Sequence, residues 1–559
     1  MRLLLTGFKG ENRALHPKLL PDTVGTVSRN QNPARGDLRP WRAPLQVASV
    51  PAGRSTIYRM GRDVADDANY WLSWTGVVHA VRGMVAEDTT ERTYYTGDGF
   101  PRYTDNTIAL ASAPYPSAWR RLGVPQPTAQ MLVSTATAGG STTSETRYYT
   151  YTYVTALGEE SAPAPVSAPW YGPDDSTLAL ANIGTPPSGE FTINRVRIYR
   201  TQSGQTGATE FFFLREIAAG LTTSTDDGRA LGEVLPTDGW LPPPEDLHTL
   251  TGMWNGMLAA ISGNAVRYCV AYKPYAWPIG FETLPADAKP VSLAKFGQAL
   301  LVLTTAKPVL VSGTSPDSLD EQPLEIGQAC VAPRATVAFG HGVAWACPDG
   351  LAYFGEGGAK ILTLGLLTRD DWQDMNPETM VAGVYEGAYI CFYNDADGIR
   401  RGFLIDPVAP QGLYFLDKGY KAVYFDELQD ALYVLDYDGT IGKWDAGAAL
   451  MTARFVGKQW FTPRTNLAAG RVVADAYPVQ VEVLATQVDP EAVTAMLARG
   501  LAGLSAPTAT SLRYTVTVAD REPFRLPGGF LSTEWQVSIA SVHPVQAAAV
   551  ANSMAELAQ

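Results

Sequence analysis

The side chains best suited to acid–base, nucleophilic or metal chemistry are few in this sequence, and they are not spaced for it. Five histidines, His16, His79, His248, His341 and His543, include no pair four residues apart, the spacing that sets two imidazoles on one helix face over a metal. Four cysteines, Cys269, Cys330, Cys347 and Cys391, form no C-x-x-C pair, so buried free thiols are expected in place of a disulfide framework or a zinc site. Ser224-Thr225-Asp226-Asp227-Gly228 begins like the sialidase Asp-box S-x-D-x-G-x-T-W, but Ala230 and Leu231 break its second half. Asp395-Ala396-Asp397-Gly398 and Asp436-Tyr437-Asp438-Gly439 resemble pieces of a calcium loop. The first loop position holds Tyr393 or Val434, and the bidentate glutamate is missing. The glycine-rich stretch 355–360 lacks the G-K-[ST] ending of a phosphate loop, and no G-x-S-x-G elbow occurs. A carboxylate pair for glycoside hydrolysis remains available from Asp349, Glu386, Asp397 and Asp436, all at turn positions. The expectation is a chain with no catalytic residues, no cofactor and no metal.

The elements that carry these residues are short strands. In 559 residues there are 52 Gly, 40 Pro, 26 Tyr and 13 Trp but only 18% charged residues, a mixture that favours strands joined by tight turns. The net charge of −13 argues against a protein that coats nucleic acid. No apolar run reaches the roughly 18 residues of a membrane helix, and Gly7, Lys9 and Glu11 end the leucines of the first five positions too early for a signal-peptide core.

Weak turns between apolar strands recur at Gly256, Gly297, Gly342, Gly387 and Asp430, at intervals of 41, 45, 45 and 43 residues. A period of this length with four short strands predicts the blades of a β-propeller. Residues 128–245 break the period. There Tyr148-Tyr149-Thr150-Tyr151-Thr152-Tyr153-Val154 alternates as a strand, further strands follow, and proline clusters stand at both ends. This resembles a fibronectin type III-like β-sandwich. Near the end, Asp489-Pro490-Glu491 reads as a helix start, with Val493, Met496, Leu497, Leu501 and Leu504 continuing its apolar face. Strands are expected at 479–483, 511–518 and 535–539, and the alanine-rich tail 544–557 reads as helix.

The expected fold is therefore mainly β: an irregular β-propeller with an inserted sandwich and a small C-terminal α+β domain. The map is an extended N-terminal arm (1–54), a first part of the propeller (55–127), the inserted sandwich (128–245), the remaining blades (246–454) and the C-terminal platform-like domain (455–559). The arm is too rich in proline to build its own core, yet it holds apolar side chains that need cover. Leu19, Leu20, Leu38, Arg39, Trp41 and Arg42 are its candidates for contacts between subunits.

This order of parts resembles the tail nozzle proteins, the tail tubular protein B class, of short-tailed bacteriophages. The segments that carry the resemblance are Leu19-Leu20-Pro21-Asp22, Asn30 and Gly36-Asp37-Leu38-Arg39-Pro40-Trp41-Arg42 at the start. At the end they are Phe524-Arg525-Leu526-Pro527-Gly528-Gly529-Phe530 and Glu534-Trp535-Gln536-Val537. The resemblance implies a virion protein, assembled in the host cytoplasm, that forms a ring of six at the distal tail and a channel for genome ejection. Its partners would be other copies of itself, the tail adaptor on the portal side, tail fibre or spike proteins, the passing DNA and the host outer surface. Two other classes compete with this reading. One is a receptor- or carbohydrate-binding tail adhesin, with Trp170, Tyr171 and Trp240 at a sugar site; the other is a propeller glycosidase.

Overall fold

The computed structural model describes residues 1–61, 66–85, 88–202, 210–286, 288–500, 503–505 and 510–557. Among these the chain is mainly β, about 45% strand and 6% helix, in many small sheets. Two compact units emerge: Met1–Trp71 with Leu324–Gln559, and Leu72–Pro323.

Four-stranded antiparallel meanders dominate both units. The second unit holds three: His79–Arg82 through Arg120–Arg121, His248–Gly252 through Glu282–Thr283, and Pro290–Phe296 through Asp320–Pro323. In the first unit, Val337–Phe339 through Gly358–Ile361 form a complete sheet, and the meander Val381–Tyr385 through Tyr414–Leu416 continues by way of Val27–Arg29 and Ala453–Val456 into an eleven-stranded sheet. The sheet of Ala422–Asp426, Ala431–Leu435 and Thr440–Lys443 takes its fourth strand from Leu45–Ser49, in the arm. Four of the five repeat positions fall between the first and second strands of consecutive meanders, and Gly342 opens the second strand of its own meander just after the turn at Gly340 and His341. At one of them Tyr385 pairs with Ala388 across a two-residue loop, and Glu386 (φ 47°) and Gly387 (φ 77°) are both left-handed. That is the type I′ geometry whose twist matches the flanking strands, and glycine enters it without steric cost.

Residues 128–245, within the second unit, build two three-stranded sheets over one shared core. Leu132–Thr137, Thr177–Ala181 and Ser224–Asp226 form the first; Tyr149–Thr155, Ile193–Thr201 and Phe211–Ala218 form the second. Tyr149, Tyr151 and Tyr153 point into the core beside Leu178, Leu180, Val196 and Ile198. The strand alternates in sequence, yet Tyr149–Thr155 is buried along its whole length, threonines included. The segment 160–167 covers them: Thr150 Oγ1 donates to the Ala164 carbonyl and Thr152 Oγ1 to Glu160. Hydroxyls tolerate this burial because each finds an acceptor.

Glu159 begins that covering segment and pays for its position electrostatically. It is buried, and burial pushes its carboxyl up to about 7, with Arg92 Nη1 at 3.7 Å as the one counter-charge acting on it. Tyr94, Tyr103 and Tyr275 feel its charge as well. Below its ordinary 4.5 the folded and unfolded chains both hold the proton, and the contribution to stability is complete. Between there and about 7 the unfolded chain alone gives the proton up. Stability should therefore fall by about 3 kcal/mol as pH rises from about 5 to 8. Urea midpoints at those two pH values are expected to differ less in Glu159→Gln, which should be the more stable protein at the higher pH.

The C-terminal segment packs two sheets over a common core. One contains Val479–Thr486, Ser511–Val518 and Ser532–Ser541; the other runs Arg2–Thr6, Val545–Ala551, Ala469–Ala474, Phe524–Arg525. The helix Pro490–Ala498 starts as expected, with the Asp489 side chain accepting from the Glu491 amide and proline in the first turn. Val493 and Met496 are buried. Leu504 belongs to a short strand and does not continue the helix, and Leu501 lies outside the described residues. The alanine-rich tail is a correction. Val545–Ala551 is the central strand between Arg2–Thr6 and Ala469–Ala474, and only Met554–Leu557 is helical. Small side chains suit this strand because Ala548, Ala549 and Ala551 are buried, and pairing on both edges overrides alanine's helix preference.

Candidate functional site

The six arm residues proposed for contacts between subunits are separated by the fold into covered and open ones. Leu38 lies in the C-terminal core, its backbone paired in both directions with Val545 at 2.9 and 3.1 Å. Trp41 is inserted between two meanders, against Ile390, Phe392, Leu404, Leu432 and Trp444. Leu20 is buried as well. These three are covered by their own chain, which corrects the expectation that a neighbour covers them. Apolar side chains in a proline-rich segment demand cover, and the sequence does not say whose. Arg39 pairs with Asp37 at 3.0 Å, an internal bond in place of one to a neighbour. The Arg42 amide donates to Asp445 at 2.7 Å, while its side chain stands exposed. Leu19 is open, 74% exposed.

A polar network pins the arm. Glu11 is buried and accepts from Arg13 Nε (2.5 Å) and from the Ser28 amide (2.9 Å). Ser28 Oγ donates to Gln31, whose amide donates in turn to the Phe8 carbonyl. Arg13 and Arg29 stack on the Phe415 ring, at 4.3 and 4.7 Å. Burial lowers the Arg29 guanidinium, and the Glu11 charge works against that shift. Asn30, quoted above for the resemblance, donates to Asp417 and to the Thr452 carbonyl. The residues from Glu11 to Gln31 therefore act as an internal clamp.

The open end of the arm lies on the outer face of the C-terminal sheet. Lys18 Nζ reaches Glu534 at 2.5 Å, and the Gln459 amide donates to the Pro17 carbonyl. Glu534 stands opposite Phe461 in register, so the two side chains share a face. Trp460 and Trp535, the neighbouring pair, point the other way into the core. Phe461 is 72% exposed. Leu19, next to Lys18 in the chain, is open as well. The Lys18 bond, ahead of opposing burial, holds Glu534 below the usual glutamate range. Sequence reasoning missed Phe461; its place in a Trp-Phe pair on an alternating strand is the signal that was available.

Four of the residues weighed for catalysis have structural partners, while Glu386 and Asp397 are exposed. Asp226, from the broken Asp-box, is fully buried and accepts from the Tyr149 hydroxyl, Arg200 and the Gly228 amide at 2.7, 2.7 and 2.9 Å. Asp395 accepts from the Asp397 and Ile399 amides and pairs with Arg401. Asp436 pairs with Lys418, and Asp349 with Arg369. The four cysteines are free and buried. Among the described residues no three His, Cys, Asp or Glu side chains gather as a metal would require, and no helix is long and apolar enough to cross a membrane. Of the aromatics named for a sugar site, Tyr171 is 73% exposed. Trp170 donates to Thr135, and Trp240 packs on Tyr275 under Lys273.

No family model matches the chain, and no curated protein matches it. Among solved structures, the WD40 domain of Neurospora crassa Pan2 is 9% identical over 49% of this chain and 84% of its own, with a TM-score of 0.25. The WD40 domain of Toxoplasma gondii coronin is 10% identical over 72% of this chain and 89% of its own, also at 0.25. The extracellular domain of the putative one-component system BT4673 from B. thetaiotaomicron is 9% identical, over 78% of this chain and 41% of its own, at 0.23. Scores this low carry no inference about fold or function.

Proposed function

We propose that this chain is a structural virion protein, a bacteriophage tail nozzle without enzymatic activity. In this reading the meanders are blades of an irregular propeller, residues 128–245 are a fibronectin type III-like insertion, and several copies, six by the resemblance, close a ring around a channel for the genome. The ring would dock on the portal-side adaptor and carry fibres or spikes. It needs no cofactor, and its net acidic charge keeps the phosphate backbone from adhering to the wall. The observation that supports assembly is that two large apolar side chains, Leu19 in the arm and Phe461 in the C-terminal segment, stand largely exposed. Large apolar side chains at this exposure are what a partner surface covers.

Covering a Leu or a Phe contributes about 1.5–3 kcal/mol each. Leu19→Asp with Phe461→Asp should therefore weaken each subunit contact at least tenfold while the monomer keeps its circular dichroism and melting point. Raised salt alone should leave the ring intact, because exposed ion pairs contribute about 0–1 kcal/mol. Native mass measurement and electron micrographs of the wild type and the double variant test this. A virion density showing the chain as a single peripheral spike, with no axial opening, would overturn the nozzle and favour the adhesin.

A further inference from the structure

The first compact unit contains a cleft of about 520 Å³ whose chemistry the nozzle reading does not use. The arm contributes Asn32 to its wall, the type I′ turn Glu386, the loop between two strands Asp406 and Gln411, and the strand after it Tyr414; His341 lines it as well. Their polar groups are partly free. Asp406 Oδ1 accepts from the Val408 and Ala409 amides at 2.8 and 3.2 Å, and the residue is exposed. Asn32 Oδ1 holds the Ala34 amide, and its NH₂ group is left as a donor. Glu386 and Gln411 are exposed. Burial, then the Asp406 charge, pushes the Tyr414 hydroxyl up to about 12, so it stays a donor.

The wall carries two carboxylates and no lysine or arginine. A phosphate, sulfate or uronate ligand would meet like charge with no counter-ion, and nucleic acid is disfavoured on the same ground. A wholly apolar ligand would strip water from Glu386 and Asp406 without replacing their hydrogen bonds. An aromatic cage for an organic cation is also poorly served. Trp41 is 1% exposed, and the half-buried Tyr385 packs against it in a T-shaped contact at 5.5 Å with its hydroxyl on Asp445, so the two rings do not stand as parallel walls of a cage. What remains is a ligand dense in hydroxyl donors with small apolar faces. Carboxylates and amides accept from and donate to neighbouring hydroxyls, and Pro33, Leu404 and Val408 meet the C–H faces. The volume lies in the range of small-molecule sites, about 300–1,000 Å³, enough for a short oligomer.

We infer that this cleft binds an uncharged or amine-bearing oligosaccharide. The inference stands apart from the ring, since every wall residue belongs to one compact unit of one chain. The test applies the full-length protein to a printed array of neutral, N-acetylated, sialylated and uronate-containing oligosaccharides. The strongest neutral or amino glycan is then titrated by calorimetry into wild type, Glu386→Gln and Gln411→Ala, with melting temperatures as the control for folding. Neutral or amino glycans should bind in preference to acidic ones, and each variant should bind at least tenfold more weakly with its melting point unchanged. Leu19→Asp with Phe461→Asp should bind as wild type does, whatever becomes of the ring. An empty array, a preference for acidic glycans, or variants that bind as wild type would overturn the inference. So would spermidine binding that Glu386→Gln abolishes while no glycan binds.

Discussion

Removal of residues 1–45 should unfold the first compact unit. The structure puts Leu3, Leu5, Phe8 and Leu38 in the C-terminal core and Trp41 between two meanders. It also pairs Arg2–Thr6 with Val545–Ala551 along five residues. Deleting one large buried apolar side chain costs about 2–5 kcal/mol, and a domain's whole stability is about 5–15 kcal/mol. Five such side chains and an edge strand exceed that margin. The truncated chain should therefore be insoluble or lack a cooperative transition in its first unit. A shorter deletion separates folding from assembly: replacing 16–19 by a glycine–serine loop removes Leu19 and Lys18 but keeps the clamp, and should leave the melt nearly unchanged. A soluble, cooperatively melting 46–559 protein would show that the arm is dispensable.

Asp226→Asn should destabilise the second unit by about 3 kcal/mol, because it removes the carboxylate paired with the partly buried Arg200, while Arg147 keeps Glu145. Asp226 is fully buried, and Arg200 and Arg147 approach it at 2.7 and 3.6 Å. Burial pushes its carboxyl up, and the Tyr149 hydroxyl, Arg200 and the Gly228 amide outweigh burial, so its net position is below the usual aspartate range. A lowered carboxyl stabilises above its unfolded value, and that stability is lost as pH falls through the folded one. The loss should thus be full at neutral pH and vanish in acid. Asp226→Leu combined with Arg200→Leu should recover part of it, since an apolar pair needs no compensation. Urea unfolding followed by tryptophan fluorescence reads all three proteins; equal stability of wild type and Asp226→Asn would remove Asp226 from the core's support.

Much of the local structure was legible. The five turns of the repeat are written as glycine or aspartate between apolar runs, and at four of them, Gly256, Gly297, Gly387 and Asp430, that residue takes the left-handed backbone the connection needs. The start of the helix at Asp489-Pro490 is equally local. What stayed hidden depends on partners far along the chain. Nothing near Val545–Ala551 says that strands from both ends of the sequence flank it, and an alanine run taken alone favours helix. Leu45–Ser49 carries no mark of its pairing with Thr440–Lys443. For the candidate contacts, the sequence identified side chains that must be covered. It offered no means of distinguishing Leu38 and Trp41, which their own chain covers, from Leu19 and Phe461, which it does not.

The pairing of Leu45–Ser49 with Thr440–Lys443, and of Arg2–Thr6 with Val545–Ala551, also sets a timetable. On a ribosome elongating at about 5–20 residues per second, the opening strands emerge within seconds, but their partners follow about half a minute to two minutes later. Throughout that interval Leu3, Leu5, Phe8 and Trp41 have no core to enter, and the strand edges that should receive them do not yet exist. Chaperone depletion or faster synthesis should therefore aggregate this protein through its first fifty residues, and a circular permutant that begins near residue 324 should be less dependent on both.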